Sequence, residues 1–304
     1  MSLARGADLL PAPPRAALAM PLPPDPLTAI NLDDLLDAIG AAGWARPLLR
    51  PWLRPQARRF ARVVREFDDR VGRHGLAAGG EWLVRRMAGG LQVTGRERIP
   101  ARGPLLVLAN HPGMTDTVAL FAALAARPDL RVIAQDKPFL RALPHVVRQM
   151  IFLPEDGAGR TRVLRAGARH LQAGGALLTF PAGAIEPDPL AGGPEAALAS
   201  LERWSSSFAL LARAAPGVRV VPAIVSQVIS ARAVAHPVLQ LRRTRAERER
   251  LATALQILWR PYRAQPARVA FGAPCPAALA DAEALRNAVL ARARALIATP
   301  QAWE

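Results

Sequence analysis

From Leu91 onward the chain alternates short apolar runs with stretches of helical periodicity. The runs at 105–109, 131–134, 150–153, 176–180, 218–225 and 268–271 are rich in Val, Leu and Ile, and their lengths predict strands. Helical patterns cover 115–126, 160–173, 202–214, 245–260 and 276–297. That alternation argues for an α/β fold, a sheet flanked by helices. No fixed-period repeat is visible.

The region before Leu91 has a different pattern. Residues 1–30 are Pro-rich, which fixes φ and removes amide donors, so they read as a disordered leader. Asn31 caps a short helical pattern, NLDDLLDAIG. In QARRFARVVREFDDRV, Phe60, Val63, Val64, Phe67 and Val71 recur at helical spacing, with arginines filling most of the other positions. A second piece, GEWLVRRMAGG, has similar character. The expected organisation is therefore a leader over 1–30, a basic amphipathic helical segment over 31–90 and an α/β domain over 91–304.

Composition narrows this picture. At 304 residues and 51% hydrophobic content, a large core is expected. Net charge is +16, carried almost wholly by arginine, because Lys137 is the only lysine. Such a chain is drawn to anionic surfaces: acidic lipid headgroups, nucleic acid or an acidic carrier protein. Cys275 is the sole cysteine, which excludes a disulfide framework and a thiolate metal cluster. Every long apolar run is broken by Arg, Pro or Gly, short of the ~20 residues a transmembrane helix needs. Membrane contact would be peripheral and the protein cytoplasmic.

Candidate chemistry concentrates where the first predicted strand ends, in GPLLVLANHPGMTDTVALF. His111 and Asp116 are five apart, about 140° around a continuous helix, so they meet only if a turn intervenes. Pro112 and Gly113 supply one, with the helix starting near Thr115. Asp116 then reaches back to one imidazole nitrogen and leaves the other outward as an acceptor. That is a general base with its tautomer fixed by a carboxylate. The alternative is a helix-capping Asp116 with His111 bonded to backbone.

The order of blocks resembles the glycerophosphate and lysophospholipid acyltransferase family (PlsC-like, the 1-acylglycerol-3-phosphate O-acyltransferases and relatives). VTGRERIPARGPLLVLANHPGMTD is similar to its entry segment and Asn-His-x4-Asp motif. The segment from Val132 to Pro187, with Lys137 in a loop and a Phe-Pro-x-Gly turn at Phe180, Pro181 and Gly183, follows its middle section. VRVVPAIV is similar to its fourth block. The likeness spans about Val93 to Ser226.

The resemblance implies a mixed sheet flanked by helices and acyl transfer from an acyl-CoA or acyl carrier protein thioester to the hydroxyl of a lipid-like acceptor. His111 would be the base and Asp116 its orienting partner, with neither metal nor cofactor beyond the thioester co-substrate. Asn110, Lys137, Arg160, Arg162, Phe180, Pro181, Gly183 and Glu186 become candidates for substrate binding, and amides near Gly183 for oxyanion contact. For Lys137 and the two arginines the alternative is a solvated surface.

Departures from the family pattern bear on the acceptor. Glu155 stands where an arginine is usual, Ala182 where a glutamate is usual and Ile185 where another arginine is usual. A carboxylate at Glu155 repels phosphate, so the acceptor need not be glycerophosphate-like, unless Arg160 and Arg162 supply charge from a shifted position. Glu186 is a candidate stand-in for the missing glutamate. A catalytically weak or inactive relative that binds lipid or acyl thioester is the competing function. Nucleic-acid binding is not expected, for want of a basic-aromatic platform. The basic helix over 57–73 reads either as an interfacial helix on an anionic membrane or as a helix packed on the core.

Overall fold

The computed structural model describes residues 26–154, 159–276 and 281–299. Helices α1 (Pro26–Ala38) and α2 (Ala45–Met87) come first, followed by β1 (Leu91–Thr94) and β2 (Leu105–Ala109). Next are α3 (Met114–Ala123), β3 (Arg131–Gln135), a single turn α4 (Pro138–Arg141) and β4 (Met150–Leu153). Helix α5 (Arg160–Gln172), β5 (Ala176–Thr179), α6 (Pro194–Ser200), α7 (Phe208–Ala214) and β6 (Arg219–Ser226) follow. The chain continues through α8 (Ala231–Val234), α9 (Arg245–Leu258), β7 (Ala267–Phe271), β8 (Cys275–Pro276) and α10 (Ala282–Ala298).

The strands form one mixed sheet in the order β1-β7-β6-β2-β5-β3-β4, with β8 pairing β6. Strand β2 runs parallel to both β5 and β6, so its Leu105 lies beside Ala176 on one side and Arg219 on the other. Strands β7 and β8 meet β6 antiparallel. All five residues of β2 are buried, as befits a central strand covered on both faces. Leu105, Val107 and Ala109 join a core layer with α2, α3 and α9, whereas Leu106 and Leu108 join the opposite layer with α5, α7 and α10. The period-2 alternation of one short strand therefore serves two helical layers.

Several expectations need correction. Helix α1 begins at Pro26, inside the expected leader, because Pro suits the first helical turn and Leu27 and Thr28 are buried. Asn31 is no cap but a buried residue within that helix. The two basic helical pieces are one element, α2, bent at Gly75, whose φ of 83° is left-handed. Its apolar face does not wait for a membrane: Val64, Phe67 and Val71 are buried in the same core as α3 and the sheet, with Phe60 packed against them. The predicted helix over 202–214 is split, since only Leu201–Arg203 forms a 3-10 turn before α7 starts at Phe208. Three serines, at Ser205 to Ser207, occupy the break. At the carboxyl end, Asp281 caps α10 by accepting from the Ala284 amide, so Pro276 falls in β8.

Candidate functional site

The carboxyl end of β2 is where the chain stops pairing as a strand and starts presenting side chains. Asn110 makes the transition. Its side-chain amide donates to the Val225 carbonyl at 2.9 Å and accepts from the Val225 amide at 2.7 Å. It thus mimics one more peptide unit of the ladder with β6. Asn110 is 2% exposed with both polar atoms engaged, so it holds the strand end and lies outside the cavity lining.

His111 follows. Pro112 and Gly113 turn the chain, and α3 carries Asp116 back toward the ring. Nδ1 of His111 lies 2.8 Å from Oδ2 of Asp116. The same carboxylate accepts from the Gly113 amide and the Thr117 hydroxyl, each at 2.8 Å. Asp116 therefore caps α3 and pairs with His111 at once; the two alternative roles coexist. A fully buried carboxylate needs such donors to remain an anion. With Nδ1–H donated to Asp116, Nε2 is the acceptor nitrogen on the opposite edge. Burial lowers the affinity of His111 for a proton, but the charge and hydrogen bond of Asp116, with a contribution from Glu186, outweigh it and raise its pKa.

His111 opens onto a cavity of about 1080 Å³. Its inner wall is apolar, with Phe67 from α2, Val118 and Phe121 from α3, Val132 from β3 and Met150 from β4. Lys137, Arg160, Arg203 and Arg250 also line it. Phe180 stacks beside the His111 ring, centroids 4.7 Å apart and planes tilted by 33°. Pro181 and Gly183 line the cavity too, and Gly183 has a left-handed φ of 63°.

The expected residues thus separate into groups. His111, Lys137, Arg160, Phe180, Pro181 and Gly183 share the cavity, whereas Arg162 is exposed outside its lining. Gly183 cannot offer its amide to an oxyanion, because that N–H donates to the Phe180 carbonyl at 3.1 Å. Glu186 is buried beneath the loop, bonded to the His111 main chain rather than facing substrate. Ala182 and Ile185 do line the cavity, and Glu155 lies outside the described residues. Sequence reasoning missed Arg203 and Arg250, which carry no motif among 40 basic residues. It also missed the contribution of α2, whose apolar periodicity was open to two destinations.

The sheet and the placement of this pair define the class: an α/β protein with its polar site at the carboxyl edge of parallel strands. The sequence of the same region is similar to a known family. Residues 90–226 match the model of the acyltransferase family, a stretch that runs from β1 to the end of β6 and includes both His111 and Asp116. No curated protein matches the chain. Among solved structures it is similar to the 1-acyl-sn-glycerophosphate acyltransferase PlsC of Thermotoga maritima, at 17% identity over 90% of this chain and 94% of that one, with a TM-score of 0.42.

Proposed function

We propose that the protein transfers a fatty acyl group from an acyl-CoA or acyl carrier protein thioester to the hydroxyl of a lysophospholipid- or glycerolipid-like acceptor. One observation carries the reading: a histidine with a fixed tautomer opens onto an apolar cavity that also holds four cationic side chains. The apolar wall suits an acyl chain, and the cations suit an anionic donor or headgroup. In the reaction, Nε2 of His111 takes the acceptor's hydroxyl proton as that oxygen attacks the thioester carbonyl. The tetrahedral intermediate collapses, the C–S bond breaks and the thiol leaves with the proton returned by the imidazolium. Ester and free thiol are the products, and the atoms balance with no further cofactor. A positioned base of this kind contributes about 10²–10⁴-fold.

The proposed contact with an anionic membrane falls on a surface other than the apolar face of 57–73, which packs on the core. Trp44, Leu48 and Trp52, four apart at the start of α2, form one stripe and are 79%, 61% and 78% exposed. Arg58, Arg59 and Arg62 follow, all exposed, on the same helix. An aromatic stripe beside arginines suits the headgroup boundary of the inner membrane face. No helix of the described residues is long and apolar enough to cross a membrane.

The second reading, a relative that binds lipid or acyl thioester with little turnover, is favoured by Ala182 and Ile185 on the cavity wall. Thiol release from acyl-CoA and from acyl carrier protein, over a panel of phosphorylated and neutral hydroxyl acceptors, decides between them. Mass spectrometry then identifies the acylated product. Turnover that is lost in His111→Ala supports the enzyme; no turnover with any pair favours the binding relative.

A further inference from the structure

Glu186 is the one titratable residue in the loop FPAGAIE that follows β5, and it is 1% exposed. It grips His111 through the main chain on both sides. The His111 amide donates to Oε2 at 3.0 Å, and the Glu186 amide donates to the His111 carbonyl at 2.8 Å. The other carboxylate oxygen, Oε1, accepts from the Ser200 hydroxyl at 3.0 Å and from Nε1 of Trp204 at 2.9 Å. Ser200 and Trp204 are themselves buried. Three donors converge on an acceptor-only group, which a glutamine could not satisfy without turning its own N–H toward one of them.

The loop also brings Phe180 against the imidazole, so His111 is fixed by ring contact, by main chain and by Asp116 together. The charged groups facing the assembly are few. Asp116 and Glu186 act on His111, and Arg203 acts on Glu186. Burial pushes the Glu186 carboxyl up, while its hydrogen bonds from Trp204, His111 and Ser200 and the charge of Arg203 pull it back.

We propose that Glu186 is a positioning residue for His111, clamping the histidine's main chain at the end of β2 and placing a second negative charge behind the ring. The inference rests on the reading of His111 as the base, and it puts in a buried position the carboxylate that the loop lacks at Ala182 on the cavity wall.

The test is a histidine side-chain NMR titration of the wild-type protein and Glu186→Gln, with His111→Ala identifying the resonance among five histidines. Glu186→Gln lowers the protonation midpoint of His111. The acid limb of kcat/KM moves to lower pH in step, and kcat falls by about tenfold or more with KM little changed. A folded Glu186→Gln whose His111 midpoint equals the wild-type value overturns the proposal. Should that variant not fold, Ser200→Ala removes one donor from Oε1, favours the neutral acid and lowers the midpoint in the same direction; an unmoved midpoint there overturns the proposal equally. The titration needs no turnover. Full activity in His111→Ala would therefore overturn the base reading alone, and an unmoved midpoint this proposal alone.

Discussion

Two histidine–aspartate pairs sit in this molecule with nearly the same local geometry. In both, Nδ1 lies 2.8 Å from a carboxylate Oδ2, and the imidazoles are 28% and 33% exposed over carboxylates that are almost fully buried. Only the surroundings differ. His111 opens onto the large cavity, whereas His145 is absent from its lining and lies flat on α2, where a Cβ added at Gly72 would come within 2.4 Å of the ring. Asp68 spends its remaining capacity on main chain, accepting from the His145 amide at 3.0 Å and the Val146 amide at 2.9 Å. It ties the long helix to the turn before β4. Asp68, Asp69 and His145 also bring ligand atoms within 4.8 Å of one another, yet Oδ2 of Asp68 is already paired with His145 Nδ1 and Oδ1 with the His145 and Val146 amides. The lesson is that a histidine–aspartate contact fixes a tautomer, and only an open space beside the other nitrogen turns that into chemistry.

Breaking the carboxylates separates the pairs most sharply. Asp116→Asn leaves the imidazolium without its anion and is expected to slow acyl transfer by about 10²-fold or more, while Asp68→Asn stays near the wild-type rate in the same thiol-release assay. Denaturant titration reverses the emphasis. Asp68→Asn removes a charged acceptor from three donors and is expected to cost about 2–3 kcal/mol of stability. Gly72→Ala drives a methyl into the His145 ring and costs about 1–3 kcal/mol. Combined with His145→Ala, the loss is smaller than the sum of the single losses, because the clash is gone.

The pH dependence sharpens the contrast further. The folded pKa of His111 is raised, so its pairing with Asp116 stabilises fully below the unfolded value of ~6.5 and that stabilisation is lost as pH rises through the folded value. Catalysis runs the other way. The proposed base works in its neutral form, so a pH–rate profile is expected to show kcat/KM climbing through the same raised value, with its acid limb above that of an ordinary histidine. The smallest effect belongs to the surface: Trp52→Ala weakens co-sedimentation with anionic vesicles several-fold and leaves the soluble thiol-release rate unchanged, by about 1 kcal/mol of lost interfacial burial.

The His111–Asp116 pair was legible because a turn and a helix start bring residues five apart together locally, and Pro112 and Gly113 announce that turn. The second pair was not, since Asp68 and His145 are separated by 77 positions and only the packing of α2 makes them neighbours. The same long-range packing decided where Val64 and Phe67 point; helical periodicity marks an apolar face without saying what covers it. Strands with all-apolar runs were readable wherever they lie in the sheet: 105–109 matches central β2 and 150–153 matches edge strand β4 residue for residue. Edge strand β1 alternates half-buried and exposed positions over only four residues, too weak a signal to separate from its surroundings. Glu186 was noticed as a carboxylate near the right place, but its burial depends on Trp204 and Ser200, which no local pattern links to it.

The most direct measurement compares thiol release by His111→Ala and His145→Ala, at equal folded concentration, with the donor and acceptor that the wild-type protein turns over. The account predicts that His111→Ala loses about 10²-fold or more while His145→Ala remains within about threefold of wild type. Wild-type turnover in His111→Ala, or an equal loss in both, would contradict it.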